Sequence, residues 1–141
     1  MDLDFLGRQS TKFRNFRNIN IMQIIYYRLP LSGKLSLLHR ISGALLFLSV
    51  PTVILPIFEA SVNSEESYSY LMSYFKNFYI KLILLTIIWS YLHHFCAGIR
   101  YFLLDFHIGI DKIRAHKSAK LVFIFSLILT FIFGLKLFGI L

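Results

Sequence analysis

The sequence predicts an all-α membrane protein whose three transmembrane helices form part of a larger, heteromeric helix bundle. Of its 141 residues, 57% are hydrophobic and 17% are aromatic, a composition far too apolar for a soluble domain of this size. Three separate apolar stretches each reach the length of about 20 residues that crosses a bilayer. Because the lipid interior offers no hydrogen-bond partner to a backbone, these stretches must be helices.

The three spans follow one another with short connections between them. The first is predicted at about residues 37–58, the second at about 78–104 and the third at about 121–141. Pro51 and Pro56 fall in the outer half of the first span. Since proline cannot donate a helical hydrogen bond, we expect a bend there that neighbouring helices compensate.

The basic residues cluster at one end of the predicted bundle. Residues 1–40 hold seven Lys or Arg and two acidic residues. Residues 100–120 hold five Lys or Arg and two acidic residues. The connection 59–81 has only two lysines against three glutamates. By the positive-inside rule the N-terminus and the second connection are cytoplasmic. Residues 1–36 are thus predicted to be a cytoplasmic arm, and residues 37–141 a three-helix anchor.

This charge pattern also decides between classes of partner. The net charge of +8 would suggest nucleic acid in a soluble protein, but here the charges lie outside the apolar stretches. We therefore expect a lipid membrane and no nucleic acid. The predicted location is a cell inner membrane, crossed several times, and a mitochondrial inner membrane is the less favoured alternative.

A histidine within the second span is the first candidate functional residue. Ionisable groups are costly in hydrocarbon, so an intramembrane histidine indicates a functional site by default. His94 lies eleven residues before Asp105, which places it about 15 Å from that end of the helix. Gly98 follows one turn later and leaves room for a flat ligand beside the imidazole. His93 is rotated by about 100° from His94, and we interpret it as a packing residue.

A second polar group occupies the start of the first span. Ser36, His39, Arg40 and Gly43 follow the i, i+3, i+4, i+7 spacing of one helix face. Because this end of the first helix and the end of the second lie on the same side, the two polar groups should converge in the same half of the membrane.

These two groups of residues match a known family. The run 28–31 (Arg-Leu-Pro-Leu) together with 36–43 (Ser-Leu-Leu-His-Arg-Ile-Ser-Gly) resembles the first signature of the cytochrome b membrane subunit of succinate dehydrogenase, respiratory complex II. Residues 94–100 (His-Phe-Cys-Ala-Gly-Ile-Arg), with Asp105 following, resemble its second signature. The order of the motifs and the three-span layout also fit. One departure is Tyr101, where many bacterial relatives have a second histidine.

The resemblance implies a cofactor and a substrate for particular residues. His94 would be one axial ligand of the iron of a b-type haem, with the other ligand coming from a second membrane subunit. His39 would hydrogen-bond a haem propionate. Ser36 and Arg40 match positions that line the ubiquinone pocket, where a hydroxyl and a guanidinium can stabilise the charge that develops on quinone oxygens. Their alternative roles are a helix cap and a snorkelling cation.

The implied function is a haem b anchor that passes electrons from an iron–sulfur subunit to ubiquinone. The chain has one cysteine and no Gly-rich dinucleotide loop, so succinate oxidation would belong to an iron–sulfur and a flavoprotein subunit. We expect Arg100 and Asp105 to form a structural ion pair or to contact those subunits. The alternatives are a non-redox membrane scaffold or small transporter subunit, or the anchor of a fumarate reductase, whose reaction runs in the opposite direction.

Overall fold

The computed structural model describes residues 29–140, and that range contains helices and no strand. The helices form three rods that are long and apolar enough to cross a membrane. This result confirms the predicted all-α, three-span architecture. The elements are α1 (Leu31–Ser49), a π-helical turn (Val50–Ile54), α2 (Leu55–Asn63), α3 (Glu65–Tyr74), α4 (Phe78–Asp105) and α5 (Lys112–Leu137).

The helices extend beyond the apolar stretches that predicted them. α1 begins at Leu31, so the last residues of the predicted arm 1–36 already belong to the first rod. The rest of that arm, through Arg28, lies outside the described residues. α5 begins at Lys112 and ends at Leu137, displaced from the predicted 121–141. A 26-residue helix is about 39 Å long, whereas the hydrocarbon layer is about 30 Å, so polar turns continue the helices past the lipid.

The first rod accommodates its two prolines with a π-helical turn. Pro51 lies within this turn and Pro56 lies just after it, and the Leu55 N–H donates to the Val50 carbonyl five residues earlier. Neither proline has an N–H for the usual bond to the fourth preceding carbonyl. The wider turn therefore lets α1 and α2 remain one continuous rod of 33 residues, Leu31–Asn63.

The connection between the first two rods is built from capped helix ends. Ser64 caps α3 by accepting a hydrogen bond from the Ser67 N–H at 3.1 Å. Asn77 caps α4 in the same way, with its side-chain oxygen 2.9 Å from the Tyr79 N–H. Side-chain caps satisfy backbone donors that the first turn of a helix leaves free.

The interior of the bundle is made of small side chains. α4 packs antiparallel to both α1 and α5, and large side chains such as Phe47, Phe95 and Phe131 are exposed on the outside. This arrangement is typical of membrane helices, which associate through close approach of small residues because lipid is as apolar as leucine. The buried small residues are Ser42, Ser49, Ser90, Ala97, Ala119, Ser126 and Gly134.

Candidate functional site

Two histidines from different helices stack on each other within the membrane. His39 of α1 and His94 of α4 have ring centroids 4.1 Å apart and planes only 8° from parallel. The two polar groups that the sequence placed in the same half of the membrane are therefore in direct contact. This contact is the centre of the candidate site.

The His94 imidazole is held by one of its two nitrogens. Its Nδ1 lies 3.0 Å from the backbone carbonyl oxygen of His39 and 3.3 Å from Ser42 Oγ. A carbonyl only accepts hydrogen bonds, so Nδ1 carries the proton and donates it. In the neutral ring the lone pair is then on Nε2. A donor bond from one nitrogen to a carbonyl is the usual support for a histidine whose other nitrogen binds a metal.

Glycines permit this close packing. A Cβ at Gly43 would lie 2.9 Å from His94 Cε1, so only glycine leaves room for the ring. A Cβ added at Gly98 would lie 3.9 Å from His39 Nε2, which is ordinary van der Waals contact. The sequence analysis put Gly43 on the correct face but did not predict this contact, which only the distance between α1 and α4 reveals.

A groove opens beside His94 on the outside of α4. Its volume is about 340 Å³, and it is lined by His94, Phe95, Gly98, Ile99 and Phe102. The lining is apolar and aromatic apart from the imidazole. Such a surface, with a glycine and an imidazole nitrogen that could ligate a metal, suits one side of a flat macrocycle such as haem.

Two polar atoms next to the stacked histidines lack partners among the described residues. They are His39 Nε2 and the Tyr101 hydroxyl, both buried. Their rings lie 5.1 Å apart. Since buried polar groups nearly always find a hydrogen-bond partner, this corner has the donors and acceptors for a polar group that residues 29–140 do not supply.

Ser36 and Arg40 lie on the same helix as His39, toward the basic end of the bundle. That end is defined by the start of α1 and by the α4–α5 connection, residues 106–111. Ser36 is half-buried and Arg40 is exposed. The structure thus leaves the Arg40 guanidinium free to meet a ligand, a lipid headgroup or another subunit.

His93 is positioned quite differently from its neighbour. It is buried against α5, where its Nδ1 lies 3.3 Å from Ser126 Oγ. Its ring also stacks on Trp89, at a centroid distance of 5.3 Å. These contacts support its interpretation as a packing residue.

The expected ion pair between Arg100 and Asp105 is not formed. Arg100 is buried and donates instead to Ser118 Oγ and to the Ala115 carbonyl, both on α5. The ion pair found in the described range joins Arg114 and Asp111, at 3.3 Å. Arg100 and Asp105 are five residues apart on α4, so their side chains point about 140° apart around the helix axis, which explains the incorrect prediction.

Comparison with known proteins identifies a family of membrane subunits. The family model described as the succinate dehydrogenase/fumarate reductase transmembrane subunit matches residues 21–133. A relative from Coxiella burnetii, named as a succinate dehydrogenase cytochrome b556 subunit, is 30% identical over 112 residues, which cover 79% of this chain and 89% of the relative. The resemblance seen in the two motifs is confirmed, and the chain belongs to the family of succinate dehydrogenase/fumarate reductase transmembrane subunits.

Proposed function

We propose that this chain is the membrane-anchoring haem b subunit of a succinate dehydrogenase, passing electrons from an iron–sulfur subunit to ubiquinone. The observation that carries the proposal is the fixed orientation of His94. Its Nδ1 donates to the His39 carbonyl at 3.0 Å, which leaves Nε2 as the nitrogen available to iron. The adjoining groove accepts a flat apolar ligand.

The residues of the chain fit one side of a haem. His94 would supply one axial nitrogen, while Gly98 has no side chain that would fill the adjoining part of the groove. The unpartnered His39 Nε2 is a candidate partner for a propionate. When bound, the haem supplies a one-electron carrier within the membrane. Because α1, α4 and α5 leave the groove open on its outer side, the second axial ligand would come from a second membrane subunit.

Ser36 and Arg40 are proposed to bind the quinone head group. Each quinone carbonyl oxygen accepts hydrogen bonds, and negative charge develops on it as the quinone is reduced. A hydroxyl can donate one bond, whereas a guanidinium can donate a bond and stabilise the charge as well. Peripheral subunits docked at the basic end would lie close to both groups.

The basic end is proposed to face the cytoplasm of a bacterial cell and to receive the iron–sulfur and flavoprotein subunits. Its exposed cations lie at the start of α5 and along α1, where they can meet acidic surfaces. The single cysteine of the chain cannot hold an iron–sulfur cluster. Succinate oxidation is therefore assigned to those subunits, and this chain carries the electrons onward.

The neighbouring histidines provide a matched test of haem ligation. In the assembled complex, His94→Leu should abolish or alter the low-spin b-type spectrum, recorded as reduced minus oxidised absorbance. His93→Leu should preserve that spectrum, because His93 faces α5. Loss of the spectrum in the His93 variant with its retention in the His94 variant would refute the ligand assignment. A wild-type complex without haem would favour the non-redox scaffold.

A further inference from the structure

A buried arginine at the basic end has no counter-charge within the described residues. Arg100 is only 6% exposed. Its Nε donates to Ser118 Oγ at 3.0 Å, and its Nη2 donates to the Ala115 carbonyl at 3.2 Å. Both acceptors are neutral, and no carboxylate of residues 29–140 lies within 4 Å of the guanidinium. Because a desolvated charge is costly without an opposite charge, this site favours an anion.

Arg100 forms part of a groove between α4 and α5 on the outside of the bundle. The groove has a volume of about 300 Å³. A second cation, Arg114, lines it, while its other walls are mainly aliphatic, including Ile99 and Leu103 from α4 and Leu121 and Val122 from α5. It therefore combines two guanidinium groups with an apolar trough.

The depth of the groove matches the boundary between headgroups and hydrocarbon. Arg100 lies five residues before the end of α4 at Asp105, or about 8 Å along the helix axis. The 28-residue helix is about 42 Å long, close to the thickness of about 40–45 Å of a bilayer with its headgroups. A phosphate at Arg100 and Arg114 would thus lie at the level of lipid headgroups, with the apolar trough in the hydrocarbon.

We propose that this groove is a binding site for an anionic glycerophospholipid. The lipid phosphate lies between Arg100 and Arg114, and one acyl chain lies against Ile99, Leu121 and Val122. Guanidinium groups match phosphate oxygens in geometry as well as in charge. A free phosphate would leave the aliphatic walls uncovered. A zwitterionic lipid would cover them but would add a cation beside two arginines.

Two substitutions, one that removes a positive charge and one that removes a negative charge, test whether the groove binds an anionic headgroup. The sample is the full-length chain, purified in non-ionic detergent together with its accompanying subunits. The probe is dioleoyl phosphatidylglycerol, which is titrated into this sample, and native mass spectrometry counts the bound lipid molecules. Arg114→Gln should weaken binding roughly fivefold, the effect of one cation on an anionic lipid. Asp111→Asn should strengthen it, because Asp111 now pairs with Arg114 at 3.3 Å. These side chains are about three-quarters exposed, so neither change threatens the fold.

A matched control and two competing ligands make the result decisive. Lys117→Gln removes an exposed cation near the start of α5 that does not line the groove, and it should leave binding within twofold of wild type. Equal losses in the Lys117 and Arg114 variants would overturn the proposal, because they would indicate general surface attraction. Equal binding of dioleoyl phosphatidylcholine would also overturn it. Displacement by millimolar inorganic phosphate would assign the site to a free anion instead.

A substitution in the trough tests the acyl chain separately. Leu121 is 66% exposed and lines the groove, so Leu121→Trp fills the trough without changing any charge. We expect phosphatidylglycerol binding to fall by at least threefold. Unchanged binding in this variant would show that no acyl chain occupies the groove, which would also refute the proposal.

Discussion

The packing of His94 against Gly43 makes Gly43→Ala the most informative single substitution in this chain. A Cβ at this position would lie 2.9 Å from His94 Cε1. That separation is roughly 0.6–1.1 Å shorter than the optimum of about 3.5–4.0 Å between carbon atoms. The added methyl group meets a ring that is held at Nδ1 by the His39 carbonyl, so relief of the clash strains or breaks that bond.

Gly98→Ala is a matched control on the neighbouring helix. Its Cβ would lie 3.9 Å from His39 Nε2, which is ordinary van der Waals contact. Both substitutions replace a helical glycine by alanine and gain the same helix propensity, about 1 kcal/mol. The difference in unfolding temperature between the two variants therefore isolates the steric effect on the helix contact, whereas the spectrum of Gly98→Ala also reports on the groove that Gly98 lines. Overpacking of this kind lowers the free energy of unfolding by about 1–3 kcal/mol, and this loss includes the effect of the strained hydrogen bond.

The assay is the thermal unfolding of the purified complex, followed together with its b-type absorbance. We expect Gly43→Ala to unfold at a lower temperature than wild type and to show a perturbed haem spectrum. Gly98→Ala should match or exceed the wild-type unfolding temperature. If the two alanine variants have the same stability and the same spectrum, then His94 is not positioned by its contact with Gly43.

Four further substitutions test other parts of the molecule. Gly98→Leu should reduce haem content strongly, because a branched side chain would occupy the groove beside His94; normal haem loading would remove the groove from the cofactor site. Arg40→Leu should lower quinone-linked succinate oxidation more than Ser36→Ala does, while the rate with a soluble artificial acceptor stays unchanged in both. Normal quinone-linked turnover in both variants would leave these residues as a snorkelling cation and a helix cap. Ser126→Ala should destabilise the complex by about 1 kcal/mol through loss of its bond to His93, and unfolding curves identical to wild type would contradict the buried bond.

The sequence predicted the three spans well but not where their helices end. Hydropathy reports which residues can lie in lipid, whereas a helix continues as long as its backbone bonds are satisfied. α1 therefore begins at Leu31, through Ser32, Gly33 and Lys34, and α5 begins at Lys112 within a charged stretch. The two prolines likewise predicted a bend but not a π-helical turn. The way in which the helix accommodates Pro51 depends on backbone geometry, which the positions of the prolines in the sequence do not determine.

The candidate site was predicted as two polar groups in one half of the membrane, and the contact between them was not foreseen. Helical spacing fixes which residues share a face of one helix. It says nothing about how closely two helices approach. That distance depends on pairs of small residues such as Gly43 and Ser42, whose importance appears only when the opposing His94 is in place.

The two adjacent histidines differ in what surrounds them. His93 packs within the chain, against Trp89 and Ser126. His94 contacts α1 on one side and borders an open groove on the other, while His39 Nε2 beside it has no partner among residues 29–140. Unmet hydrogen-bonding capacity is costly in hydrocarbon. The polar groups around His94 thus favour association with a molecule that supplies the missing partners, and both a haem propionate and a second membrane subunit have the required chemistry.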